Sequence, residues 1–125
     1  MKKSDKNTPI QELKDLVIKF VKERDWEQFH NPKDVAISLS LEASEVLEHF
    51  QWKNPAEIEK YLHTHKKEIA DELVDVLYWV LLMSYYFKVD LIKAFEIKML
   101  ENEKKYPIKK AKGSHAKYTH YQNKQ

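Results

Sequence analysis

Apolar residues in this chain recur every three or four positions, and the runs are separated by short breaks marked by proline. Thr8-Pro9-Ile10-Gln11 supplies a capping residue, proline at the first helical position and Gln at the third. This resembles a capping box and predicts a first helix over about residues 9–24. Asn31-Pro32 opens a second helix, to about residue 50. Asn54-Pro55 with Glu57 opens a third stretch. It reads either as a short helix to His63 followed by a long one over about residues 64–87, or as one bent helix. Asp90 caps a fourth, which ends near Tyr106 because Pro107 follows. The pattern predicts an all-α four-helix bundle in a single domain, 1–125, with its core over about residues 9–106. The basic tail, 107–125, shows no period and is expected to be irregular.

Placed on a helical wheel, Val35, Leu39, Val46 and Phe50 form one apolar stripe on the second helix. Glu42 falls at the border of that stripe, with Glu45, Ser38 and His49 just beyond it. On the third stretch Glu68, Glu72 and Asp75 make a narrow acidic stripe continued by Trp79, with apolar residues on both sides. A helix apolar nearly all round is buried on more than one side. Four helices of this size could hardly cover it, so a homo-oligomer is expected. On the fourth helix Leu91, Phe95 and Met99 mark the inner face. Lys98 and Asn102 share that arc, with Lys105 at its edge.

Composition narrows the classes. The chain has 125 residues with one Gly and four Pro, which favours helices over an all-β fold. Against 22 Lys and Arg stand 20 Asp and Glu, and the net +2 is too small to imply a nucleic-acid or membrane partner. No Cys is present, which excludes disulfides and thiolate metal sites and fits a reducing cytoplasm. The amino-terminal run "MKKSDKNTPI" carries no apolar stretch of the kind a secretory signal needs. The most apolar segment, "LVDVLYWVLLMSYYF", is short for a bilayer and contains Asp75, so it is expected to be a buried helix.

An E-x-x-E or E-x-x-D spacing alone reads most readily as a solvated helix face. Glu42 with Glu45 on one helix and Glu72 with Asp75 on the next make a stronger set, four hard oxygen ligands from neighbouring helices. Such ligands suit Mg²⁺ or Mn²⁺. An inward Lys98 and Asn102 are what a phosphate chain needs opposite a cation. A di-iron centre is disfavoured, since it takes an E-x-x-H pair from each of two helices and only Glu27 to His30 has that spacing. Trp26, Phe29 and His30, in "RDWEQFHNP", and Trp52, after Phe50, lie in connections. Singly each reads as local packing; together they offer a platform for a nucleotide base.

The runs "RDWEQFHNP", "LEASEVLEHFQWK", "EIADELVDVLYWVL", "VDLIKAFEIKMLENEKKYP" and "KAKGSHAKYT" resemble the MazG-like all-α nucleotide pyrophosphohydrolases, most of all the dCTP pyrophosphatase (dCTP diphosphatase) subgroup. The resemblance spans about residues 10–120. It implies an enzyme that hydrolyses a nucleoside triphosphate, here dCTP or a 5-modified dCTP, to the monophosphate and pyrophosphate in nucleotide-pool sanitation. It implies Mg²⁺, with Mn²⁺ able to substitute, held by Glu42, Glu45, Glu72 and Asp75. The base and sugar pocket falls on Trp26, Glu27, Gln28, Phe29 and His30, with Trp52 and Trp79. Trp79 stands where the subgroup has a Tyr, and Val17 where some relatives have a His. Lys98 and Asn102 match residues that face the phosphates, and Glu45 is the expected general base. A cytoplasmic homotetramer, a dimer of dimers, is also implied. The alternative is a non-catalytic helical module whose basic tail binds an acidic partner or nucleic acid.

Overall fold

The computed structural model describes residues 1–122, and every regular element among them is helical. The order is α1 (Ile10–Lys22), a 3₁₀ turn (Trp26–Phe29), α2 (Pro32–Glu48), α3 (Pro55–Thr64), α4 (Lys66–Tyr86), α5 (Leu91–Lys105), α6 (Ile108–Ala111) and α7 (Thr119–Gln122). The proline-marked starts follow the sequence closely. Asn31 accepts from the Asp34 backbone N–H at 2.9 Å. Asn54 and Glu57 form a reciprocal capping box, at 2.9 and 2.8 Å. Asp90 accepts from Lys93 N–H at 3.1 Å. Each satisfies a backbone donor that a helix start leaves without a partner, worth about 1 kcal/mol.

The start of α1 differs from expectation. Pro9 is its cap residue and makes no side-chain cap. The Thr8 hydroxyl accepts instead from Ser4 N–H and donates to Asn7 Oδ1, both at 3.2 Å, so it is spent on the turn that precedes the helix. The third stretch resolves into two helices, broken at His65, whose φ −121° and ψ 32° lie outside helical values.

The chain divides into two compact units, Met1–Lys88 and a second beginning at Val89. In the first, α4 is the central element and packs on α1, α2 and α3. Val21 of α1, Val35 of α2, and Leu81 and Leu82 of α4 are buried to 2 % exposure or less. Burying each such side chain stabilises by about 1.5–3 kcal/mol. Elsewhere these helices keep apolar residues open: Leu41 and Leu47 on α2, Leu73 and Val74 on α4.

In the second unit the tail is not irregular. The turns α6 and α7 bring Tyr118 and a buried Tyr121 edge-on to Tyr106, with centroids 6.1 and 6.3 Å apart. Lys105 Nζ lies 5.0 Å from the Tyr118 ring centre. Turns of four residues are too short to show a period, which is why no pattern in the tail announces them. Residues 123–125, the end of the expected tail, lie outside the described residues. On α5 the expected inner residues Phe95 and Met99 are exposed and Leu91 is half-buried.

With one glycine in the chain, helix exits fall on other residues in the left-handed region: Asp25 (φ 54°), Trp52 (φ 67°) and Lys88 (φ 55°). Asp tolerates this locally, whereas for a bulky aromatic it costs about 1–3 kcal/mol and tends to mark a functional segment.

Candidate metal and nucleotide site

Glu42 and Glu45 lie one turn apart on α2, and Glu72 faces them from α4. One carboxylate oxygen from each lies within 4.8 Å of the other two, a spacing that admits a cation. Glu42 and Glu72 are half-buried and Glu45 is exposed. Burial pushes the Glu42 carboxyl above the usual range, the Glu45 and Asp75 carboxylates push it further, and the Trp79 side chain, donating to it, works the other way. Burial also raises Glu72, followed by the adjoining Glu45 carboxylate, while His49 opposes the shift. Three acids so placed repel one another, and a positive charge among them removes the conflict.

A second observation fits the same cation. Glu72 Oε2 is buried and has no hydrogen-bond partner. A buried polar atom left unpaired costs about 1–3 kcal/mol, so such atoms mark places where a ligand completes the shell. The donor set is all carboxylate oxygen, which suits a hard divalent ion such as Mg²⁺. Asp75, expected as the fourth ligand, is exposed and is not part of the three-residue cluster. It lies one turn beyond Glu72 on α4 and lines the neighbouring cavity together with Glu42.

That cavity, of about 480 Å³, is lined by Leu16, Val17, Phe20, Trp26, Glu42, Asp75, Tyr78 and Trp79. Its wall is aromatic and braced: Phe20 meets Trp26 edge-on at 5.6 Å and Tyr78 at 6.2 Å. Tyr78 meets Trp79 at 5.2 Å. The Arg24 guanidinium sits 3.7 Å from the Phe20 ring centre. An apolar pocket whose lining includes two carboxylates, Glu42 and Asp75, can take a flat ring while presenting a charged tail to a cation.

The remaining expected site residues divide. Trp26 and Trp79 line the cavity. His30 meets Trp79 edge-on at 5.7 Å, and its Nδ1 is 2.6 Å from the Tyr86 hydroxyl. Burial lowers the His30 pKa, with Glu27 opposing, and raises Tyr86 to about 12. The phenol therefore keeps its proton and shares a hydrogen bond with the imidazole. Gln28 spends its amide on Asp25, at 2.9 and 2.8 Å. Phe29 is 66 % and Trp52 92 % exposed, and neither lines the cavity. Lys98 and Asn102 lie one turn apart on α5 in the second unit, where Lys98 Nζ pairs with Glu101 at 3.3 Å.

Sequence reasoning missed Leu16, Phe20 and Tyr78 as pocket walls, since each reads as ordinary core on its own helix. It also passed over the pairing of His49 with Glu72, at 3.6 Å. On the wheel His49 falls beside Glu45, and an ionisable side chain at that place is the available signal.

Fold and site together define a helical protein in which E-x-x-E on one helix meets a second acidic helix beside an aromatic cavity. The MazG-like family model matches residues 37–120, and the chain belongs to this family. It is 38 % identical to dCTP pyrophosphatase 1 of Rattus norvegicus and 35 % identical to that of Homo sapiens, in each case over 88 % of this chain and 66 % of the relative. The chain thus spans slightly under two thirds of the length of these relatives. It also resembles the crystal structure of a pyrophosphatase from Archaeoglobus fulgidus, with a TM-score of 0.75 and 36 % identity over 85 % of this chain and 99 % of that one. No helix of the described residues is long and apolar enough to cross a membrane.

Proposed function

We propose that this protein is a Mg²⁺-dependent nucleoside triphosphate pyrophosphohydrolase. Its substrate is dCTP or a 5-modified dCTP, and its products are the monophosphate and pyrophosphate. The observation that carries this reading is the contiguity of the Glu42, Glu45 and Glu72 cluster with an aromatic cavity that Glu42 also lines. The dCTP preference comes from the relatives' names together with the pocket's size and apolar wall.

Glu42, Glu45 and Glu72 would hold the cation, with Asp75 beside them. Bound there, Mg²⁺ supplies charge neutralisation and Lewis acidity to the triphosphate. Trp26 and Trp79 stack against the base and exclude water from it, and Glu27, Gln28 and His30 complete the base and sugar side; Phe29 and Trp52, outside the cavity, meet the nucleotide only from its open side. Glu45, the exposed acid of the three, takes a proton from the attacking water on a carboxylate oxygen. The water oxygen bonds to phosphorus at the α/β linkage, and the anhydride P–O bond breaks. Lys98 and Asn102 carry the groups a phosphate chain calls for, a cation to offset negative charge and an amide to donate a hydrogen bond.

The apolar side chains left open on α2 and α4 support assembly of the chain as a homotetramer, and a cytoplasmic location fits the proposed role in nucleotide-pool sanitation. Incubation with each common and 5-modified dNTP, with and without Mg²⁺, tests the activity. Pyrophosphate release from dCTP or a 5-modified dCTP only with the metal is expected. Absence of cleavage of every dNTP with Mg²⁺ or Mn²⁺ would sink it. Tight, salt-sensitive nucleic-acid binding without metal dependence would instead establish the interaction module.

A further inference from the structure

We propose that His49, locked in place by Tyr61, is a positioning residue that sets the orientation of the Glu72 carboxylate for a divalent cation; this rests on the metal-site reading above. The two residues come from different helices. His49 is the C-cap residue of α2, one turn beyond Glu45. Tyr61 lies on α3, which packs on α4. Its hydroxyl lies 2.6 Å from His49 Nδ1. The other ring nitrogen, Nε2, lies 3.6 Å from Glu72 Oε1, with the two side chains 14 % and 23 % exposed.

Nε2 is the ring nitrogen that faces the Glu72 carboxylate, which only accepts when ionised. The other nitrogen, Nδ1, shares a hydrogen bond with the Tyr61 hydroxyl. Tyr61 is in turn held flat. Its ring stacks on His65 with centroids 4.0 Å apart and planes 7° from parallel. Lys53 Nζ lies 4.4 Å from its centre. Stack, phenol, imidazole and carboxylate thus form one contiguous series from α3 to Glu72.

The consequence falls on Glu72. With Oε1 turned to the imidazole, Oε2 is the oxygen left over, and it is the buried atom without a hydrogen-bond partner. His49 is not itself one of the three clustered ligands. It acts from behind, as partners of metal-ligating groups commonly do, and losing such a partner weakens metal affinity by about 10–100-fold.

Mn²⁺ titration of the nucleotide-free protein, followed by electron paramagnetic resonance, separates this from a merely structural role. His49→Leu and Tyr61→Phe are each expected to weaken Mn²⁺ binding by about 10-fold or more. His49→Gln, which can return an N–H toward Glu72, is expected to recover most of it. Tyr61→Phe keeps the stacked ring and removes only the hydroxyl, so it serves as the test should His49→Leu fail to fold. Folded variants that bind Mn²⁺ like the unmodified protein would overturn the role of His49 while leaving the metal site standing. An unmodified protein that binds no Mn²⁺ would overturn both.

Discussion

Glu42 and Glu72 are alike in chemistry and differ in what backs them. Both are half-buried, and both are raised by burial and by the same neighbour, Glu45. Glu42 opens onto the aromatic cavity and accepts from the Trp79 side chain, which also lines that cavity. Glu72 is backed by His49, with Tyr61 behind it. One end of the cluster looks toward a ligand-sized space and the other toward the scaffold. A metal site that must also meet a substrate needs both: a fixed end that keeps the ion and an open end that shares it.

The largest effect should come from the residue common to both ends. Glu45→Ala removes the acid that touches Glu42 and Glu72 alike and, in the proposed mechanism, the proton acceptor. Mg²⁺-dependent pyrophosphate release is expected to fall by about 100-fold or more with the fold retained by circular dichroism. A folded variant with undiminished turnover would remove Glu45 from the chemistry. A smaller and more selective loss should follow at the open end. Trp26→Ala takes away a cavity wall but no ligand, so KM for the nucleotide is expected to rise by about 10-fold while kcat changes much less. A fall in kcat with unaltered KM would mean that Trp26 does not hold the base.

The two ends also differ in how far the sequence disclosed them. The acids were legible because E-x-x-E places two side chains on one helix face whatever the helix packs against. The helix starts were legible because Asn-Pro fixes a cap and a first turn locally. Thr8 misled for a related reason. Its pattern fits a cap, but a nearby turn competed for the same hydroxyl. The backing of Glu72 was not legible, since it depends on α3 folding back to bring Tyr61 to His49. The cavity wall was hidden in the same way: Leu16, Phe20 and Tyr78 become a pocket only through the packing of α1 on α4. Asp75 was legible from the same spacing, and the structure places it beside the three clustered acids, on the cavity that Glu42 also lines.

Charge at the cluster should be visible as a stability effect before any metal is added. A carboxyl whose folded value is raised contributes stability that is present below the ordinary value near 4.5 and lost as pH rises through the folded value. At neutral pH the metal-free protein therefore bears the repulsion of Glu42 with Glu45 and Asp75. Glu42→Gln is expected to raise the Tm of the metal-free protein by about 1–4 °C and to weaken the further rise that Mn²⁺ produces. A lower Tm in EDTA would show that the Glu42 charge is already compensated within the chain.

The smallest effect lies beside the open end and has the opposite sign with pH. Burial favours the neutral form of His30, which meets Trp79 edge-on and shares a hydrogen bond with the Tyr86 hydroxyl, with Glu27 the charged group that opposes the shift. For a base whose folded value is lowered, the unfolded chain takes up the proton first. The contribution is present above the ordinary value of 6.5 and is lost as pH falls through the lower folded value. Tm measured from pH 8 to pH 5 should therefore drop more steeply in the unmodified protein than in His30→Gln, which cannot charge. Because the Glu42 and Glu72 contributions run the other way with pH and are common to both proteins, the difference between the two curves isolates His30. Parallel curves would mean that the imidazole charges in place, with Glu27 as its counterion, and that the Tyr86 hydroxyl does not hold it neutral.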